Sequence, residues 1–214
     1  KKEKLNHCPV CSSANLAEFL RCTDHFVSKE SFMIMRCDDC GFCFTNPRPR
    51  LEDIGPYYDS SEYVSHSKTS KGFTNRLFHF ARNFTLERKK RILKKYSSGS
   101  TVLDYGCGTG EFLAKMKSAS WNCLGIEANA QAREHAIKKY GLEVSDENDL
   151  EKLADDSLDA ISMWHVLEHV YPLHERLQRF YNKLNAGGTM FVALPNMNSL
   201  DAMIYKEHWA AYDV

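Results

Sequence analysis

Three groups of residues have the types and spacing to do chemistry, and the most informative runs from Val102 to Phe112. Val102-Leu103-Asp104 reads as the end of a buried strand. Gly106, Gly108 and Gly110 make a turn that side chains would obstruct, and Phe112, Leu113 and Met116 begin an amphipathic helix. A strand, a glycine-rich turn and a helix N-terminus form the nucleotide-cofactor crevice of an open α/β sheet. A pyrophosphate turn of the form G-x-G-x-x-G needs its third small residue where Glu111 stands here. Acids at Asp104 and Glu111 bracket the turn and oppose phosphates, but suit a cofactor carrying an amino group and a sulfonium. The next strand, Cys123-Leu124-Gly125-Ile126, ends in Glu127, about 20 residues on, where a carboxylate accepts both ribose hydroxyls. Together these features fit S-adenosylmethionine better than a dinucleotide.

The second group is cysteine. Cys8-Pro9-Val10-Cys11 and Cys37-Asp38-Asp39-Cys40 are two C-x-x-C knuckles with 25 residues between them. Ser12-Ser13 and Gly41 follow them and supply the tight turns that aim all four sulfurs at one point. Four thiolates so spaced suit tetrahedral Zn²⁺, and a closed four-cysteine set is structural rather than catalytic. So short a segment has too little core to fold well unaided, and metal binding can supply the missing energy. A redox C-x-x-C needs a thioredoxin-like βαβ context that is absent. Cys22, Cys43, Cys107 and Cys123 lack paired spacing and read as small buried hydrophobes.

The third group is Trp164-His165-Val166-Leu167-Glu168-His169, which leaves a strand at the carboxyl edge of the sheet, where such sheets place ligands. Two histidines and a carboxylate within five positions suit proton removal near neutral pH. His165, Glu168 and His169 are therefore the candidate catalytic residues. Two alternatives stay open: a metal site made by the same three, or His165 packing on the cofactor while Glu168 and His169 cap the next helix.

DYGCGTG, GIEAN, LDAISMWHVLEHV and LNAGGTMFVALPN, in that order over roughly residues 99–196, resemble a class I S-adenosylmethionine-dependent methyltransferase. The resemblance implies a Rossmann-like α/β fold. It also implies that the residues after the third strand touch the adenine, making Asp149 and a backbone group of Leu150 candidates, with Asp146 competing. The opposing reading of Asn148-Asp149 is a helix N-cap. The candidate cofactor set is then Asp104, Tyr105, Gly106, Gly108, Gly110, Glu127, Ala128, Asp149, Leu150, Trp164 and His165, with Tyr63 added from a flap.

The elements that must position these residues alternate. Strands are expected at Thr101–Tyr105, Asn122–Glu127, Leu142–Val144, Leu158–Trp164 and Thr189–Leu194. Helices are expected at Glu111–Ser118, Ala130–Tyr140 (closed by Gly141) and Pro172–Leu184. Such alternation argues a parallel sheet covered on both faces. Phe73, Leu77, Phe80, Phe84, Ile92, Leu93 and Tyr96 mark a leading helix and its apolar face. The run Arg88 to Lys95 at its end reads as a solvated face, or as a contact for a phosphorylated or nucleic-acid substrate. The related fold has seven strands, so the chain is expected to stop before the last two. The domain reading is 1–45 zinc ribbon with a strand at Ser31–Arg36, 46–73 linker or flap, and 74–214 core. Within 46–73, Tyr58 and Tyr63 belong either to a surface linker or to a flap over the cofactor. Asn198 to Tyr212 either covers an acceptor or is core left exposed.

Formal net charge is zero, so the whole molecule is no electrostatic attractant for nucleic acid. Apolar runs are strand-length and no secretory pattern stands at Lys1, although the missing methionine leaves a lost leader open. Paired C-x-x-C knuckles argue a reducing compartment, hence a cytoplasmic location. The Asn/Asp-Pro-Pro-aromatic signature of amino-directed nucleic-acid methyltransferases is replaced here by WHVLEH. The combined plan resembles methyltransferases of bacterial polysaccharide and sugar pathways, which implies a sugar or glycan-like acceptor, methylated at oxygen or carbon. A zinc-finger-bearing rRNA methyltransferase and a non-catalytic cofactor-binding scaffold are the alternatives.

Overall fold

A computed structural model describes residues 1–25, 27–58 and 73–212, with the backbone alone for 58 and 73–79. The chain divides into two compact units: Val64–Leu194, and Lys1–Tyr63 together with Pro195–Val214.

The larger unit is a five-stranded parallel sheet of β6 (Thr101–Tyr105), β7 (Asn122–Ile126), β8 (Glu143–Ser145), β9 (Leu158–Trp164) and β10 (Leu184–Ala193), in the order β10-β9-β6-β7-β8. Sequence order reverses between β6 and β9, which makes the carboxyl ends of these two strands the topological switch point where open sheets bind ligands. The two central strands, β6 and β9, are near-continuous apolar runs because both sheet faces are covered there. Val102 and Ala160 point to one face with Leu93, Leu113 and Met116, while Leu103, Ile161 and Met163 point to the other with Phe180. The helices are α1 (Phe73–Tyr96), α2 (Glu111–Lys117), α3 (Ala130–Tyr140) and α4 (Leu173–Lys183). Asn129 caps α3 by accepting the Ala132 N–H, and Gly141 ends it at φ 59°, a left-handed position glycine adopts freely.

One carboxylate pins the amino edge. Asp159 accepts the N–H groups of Ser100 and Thr101, each at 2.8 Å, and the Asn185 side-chain amide at 2.9 Å, so the starts of β6, β9 and β10 share one anchor. Those bonds, led by the Thr101 N–H, hold its carboxyl below the usual range despite some burial. Gly99 is required beside it, since a Cβ there would lie 2.0 Å from the Asp159 carboxyl carbon.

The smaller unit carries a three-stranded antiparallel meander, β2 (Leu16–Thr23), β3 (Ser31–Cys37) and β4 (Cys43–Thr45), and a two-stranded pair, β1 (Lys2–Glu3) with β5 (Arg48–Pro49). Its last part is α5 (Leu200–Tyr205), capped by the Ser199 hydroxyl, and a turn at Lys206–His208 that lies against β2. Among the described residues no helix is long and apolar enough to cross a membrane.

Several expectations need correction. Of the apolar stripe expected on α1, Ile92 and Leu93 do turn inward, but Phe80, Phe84 and Tyr96 are 71%, 63% and 59% exposed, and Leu86 and Lys89 join the inward face in their place. β10 starts at Leu184, five residues earlier than expected, and its register with β9 shifts between Leu184 and Thr189. By contact, residues from Pro195 onward group with the cysteine-bearing unit. Tyr63, and the side chain of Tyr58, lie outside the described residues, as does the flap reading that rests on them.

Candidate functional site

The glycine turn closes on itself. The N–H groups of Gly106 and Cys107 donate to the Ile126 carbonyl at 2.7 and 3.1 Å, that of Gly110 to the Cys107 carbonyl at 3.0 Å, and that of Gly108 to Glu127 Oε2 at 2.8 Å. Gly106, Gly108 and Gly110 all have positive φ, at 74°, 54° and 82°. A Cβ at Gly106 would meet Val166 at 2.4 Å and one at Gly110 would meet Leu142 at 2.7 Å, whereas Gly108 faces open space. The turn is open on its Gly108 side, and four of its N–H groups are already committed. A pyrophosphate, which depends on free N–H groups in such a turn, finds little to bind.

The acids divide by environment. Glu127 is buried, and its other oxygen accepts the Asn129 N–H at 2.9 Å; Arg133 fixes the loop by donating to the Glu127 and Ala128 carbonyls at 2.7 Å each. Asp104 is almost fully buried and accepts a 2.6 Å hydrogen bond from Ser162 directly opposite on β9. Burial pushes its carboxyl up to about 7, against the Ser162 bond and the charge of Lys89. Glu111 is different from the sequence reading: Arg82 pairs with it and the Thr109 hydroxyl donates to it at 2.7 Å, and these bonds hold its carboxyl down although burial opposes them. Its charge is therefore answered within the protein, and Asp104 and Glu127 remain as the acids of the crevice.

At the switch point β9 ends in Trp164, whose ring packs edge-on against Phe112 at 5.5 Å and carries the Lys89 ammonium 4.3 Å from its centroid. The indole N–H is buried and has no acceptor among the described residues. His165 follows at φ 62°, unusual for a non-glycine residue, with its N–H held by the Ala193 carbonyl at 3.0 Å. Its side chain is 62% exposed, and Nδ1 stands 3.7 Å from Glu168 Oε1. Those two expected catalytic residues are brought together, and His169 lies on the same short 3₁₀ turn, Leu167–His169.

Two other candidates sit where direct side-chain contact with a ligand is blocked. Tyr105 is buried on the Phe180 face, its ring 4.9 Å from Phe180 and its hydroxyl donating to Glu147 at 2.9 Å, so only its backbone adjoins the turn. Leu150 is fully buried in the same cluster. Asp149 pairs with Lys152, and the cap of that turn is Asp146, which accepts the Asn148 N–H at 2.8 Å. The N-cap reading was right in kind but named the wrong residue. Sequence reasoning missed Ser162, Arg82, Lys89 and Arg133; Ser162 was visible as a lone hydroxyl within the apolar strand LDAISMW.

In the smaller unit the sulfurs of Cys8, Cys11, Cys37 and Cys40 all lie within 4.8 Å of one another. Cys8 and Cys40 are 3.6 Å apart, and Cys11 and Cys37 3.5 Å. A tetrahedron with Zn–S bonds of about 2.3 Å has edges of about 3.8 Å, so the cluster has the size of a zinc site. The two knuckles share a fold: the Ser12 and Gly41 N–H groups return to the Cys8 and Cys37 carbonyls, with φ of 61° and 76°.

Comparison with known proteins finds methyltransferases. An uncharacterized methyltransferase of Anoxybacillus flavithermus is 29% identical over 114 residues, covering 50% of this chain and 54% of that protein. The chain thus spans about half the length of this curated relative. An S-adenosylmethionine-dependent methyltransferase from Archaeoglobus fulgidus is similar at 29% identity and TM-score 0.47, over 60% of this chain and 62% of that one. Another from Thermotoga maritima, described as a possible histamine N-methyltransferase, is similar at 22% identity and TM-score 0.48, over 64% and 67%. The family described as a methyltransferase domain matches residues 77–213, well over half of the 214, so the chain belongs to that family and carries a class I S-adenosylmethionine-dependent methyltransferase domain.

Proposed function

We propose that the protein transfers a methyl group from S-adenosylmethionine to a small-molecule acceptor, a sugar or glycan precursor, and that its cysteine unit is held together by a structural zinc ion. The observation that carries the cofactor reading is the self-satisfied glycine turn, open at Gly108, with the buried Glu127 carboxylate bonded to it. Such a turn suits an uncharged ribose and a cationic amino group rather than a pyrophosphate. When bound, the cofactor supplies an electrophilic methyl on a sulfonium. Glu127 would accept the ribose hydroxyls, and Asp104 would face the amino group. His165, exposed beside Glu168 at the carboxyl edge, would take the acceptor's proton. Positioning supplies the rest of the acceleration, worth roughly 7–11 kcal/mol in well-oriented systems.

The sugar reading rests on the resemblance of the whole plan, from the cysteine knuckles through WHVLEH to LPN. The nucleic-acid alternative loses support in the α1 basic run: Glu87 pairs with both Lys90 and Lys115, and Lys89 turns inward, so the run is no continuous cationic strip. Calorimetric titration tests the reading. S-adenosylmethionine should bind, NAD should not, and Glu127→Ala should weaken binding about 10- to 100-fold through the loss of charged hydrogen bonds. Binding of NAD, or an unaffected Glu127→Ala variant, would overturn it; with the cofactor settled, nucleotide sugars are the first acceptors to screen.

A further inference from the structure

The basic run at the end of α1 does not behave as one surface. Arg88, Arg91, Lys94 and Lys95 are exposed, and Lys90 pairs with Glu87 at 2.7 Å. Lys89 alone folds back toward the sheet, its ammonium over the Trp164 ring. Ser162 pairs with Asp104 in the parallel register, and Trp164 lies two residues further along, level with the start of the glycine turn. The cation therefore sits on the α1 face of the switch point, where Asp104 also lies.

The structure places three cations around the turn. Arg82 is committed to Glu111, and Arg133 to the Glu127 and Ala128 carbonyls. Lys89 has no oxygen partner among the described residues, although burial pushes its pKa down and only the nearby Asp104 charge opposes this. Beside it the Trp164 indole N–H is a second donor without an acceptor. Two unmet donors against one crevice point to an anionic group arriving from outside, because a buried donor left unpaired is costly. The acids of the crevice, Asp104 and Glu127, can serve an amino group and a ribose but not a carboxylate.

We propose that Lys89 receives the carboxylate of the cofactor's amino-acid end, with the Trp164 indole face holding the ammonium in place. This rests on the S-adenosylmethionine reading of the crevice. A lysine present only as a counter-charge to Asp104 would act on every ligand of the crevice alike. A lysine that receives the carboxylate distinguishes ligands with and without that group.

The test is the affinity of S-adenosylmethionine and of decarboxylated S-adenosylmethionine, measured by calorimetry for the wild-type chain, Lys89→Met and Lys89→Arg. Methionine keeps the volume and a favourable contact on the indole. The wild-type chain should prefer the carboxylated ligand by roughly 10- to 100-fold, the span expected of a charge-assisted hydrogen bond. Lys89→Met should erase that preference by weakening the carboxylated ligand alone, and Lys89→Arg should keep most of it. Equal weakening of both ligands, or no weakening of either, would overturn the assignment while leaving the cofactor reading intact. Failure of the wild-type chain to bind either ligand would overturn the cofactor reading and the role of Lys89 with it.

Discussion

Asp104 should be a liability to folding near neutral pH. Its carboxyl is almost fully buried and titrates near 7, chiefly because burial penalises the charge, whereas an unfolded aspartate titrates near 3.8. Between those values the native state holds a proton that the unfolded chain has lost, so stability falls as pH rises through the window and levels off above about 7. At 1.36 kcal/mol per pKa unit, the rise from pH 5 to pH 8 costs the native state roughly 3 kcal/mol at this one group. Asp104→Asn removes the titration, keeps the shape and still accepts the Ser162 hydroxyl bond. Urea unfolding of both proteins at pH 5 and pH 8 should show the variant gaining about 3 kcal/mol on the wild type between the two conditions, while it binds S-adenosylmethionine more weakly at pH 8. A stability difference that does not change with pH would refute the reasoning, since it would mean that Asp104 is hydrated or paired when ionised.

Three further outcomes follow from the same geometry. Chelation should release close to one equivalent of zinc and abolish amide protection in β2 and β3 while β6 and β9 stay protected; protection that survives chelation would deny the metal a structural role. His165→Ala should lower kcat by about 100-fold or more and leave cofactor affinity within a factor of a few, whereas equal losses in both would mean a binding role. Gly106→Ala should destabilise the larger unit by roughly 2–4 kcal/mol, because the new Cβ needs a left-handed backbone and meets Val166 at 2.4 Å; an unfolding midpoint close to wild type would show that the turn can relax.

The sheet was legible because its signals are local. A strand buried on both faces is an apolar run, and runs such as LDAISMW begin and end where the structure has them. The glycine turn and the cysteine knuckles were legible for the same reason: their spacing is their geometry. β2 was hidden because its burial does not alternate, a register shift between Glu18 and Leu20 turning Phe19 to solvent. The start of β10 was hidden because Asn185-Ala186-Gly187-Gly188 has loop composition, and the pairing of Leu184 with Leu158 is decided across the sheet. Charge was the least legible. Nothing local separates Lys89, which faces a tryptophan, from Lys94, which faces water, or shows that Arg82 answers Glu111.

The smaller unit is assembled from two separate stretches, Lys1–Tyr63 and Pro195–Val214, with the 131 positions of the other unit, Val64–Leu194, between them in sequence. During synthesis the meander therefore waits for the Lys206–His208 turn that lies against β2, and the inserted sheet has time to form first. A metal that ties Cys8 to Cys40 acts on the near half of that unit alone, so it would hold the knuckles in shape through the interval before the last turn arrives. Removal of residues beyond Leu194 would then leave the meander without the turn that lies against β2, a species more prone to pairing with other chains even with its four cysteines in place.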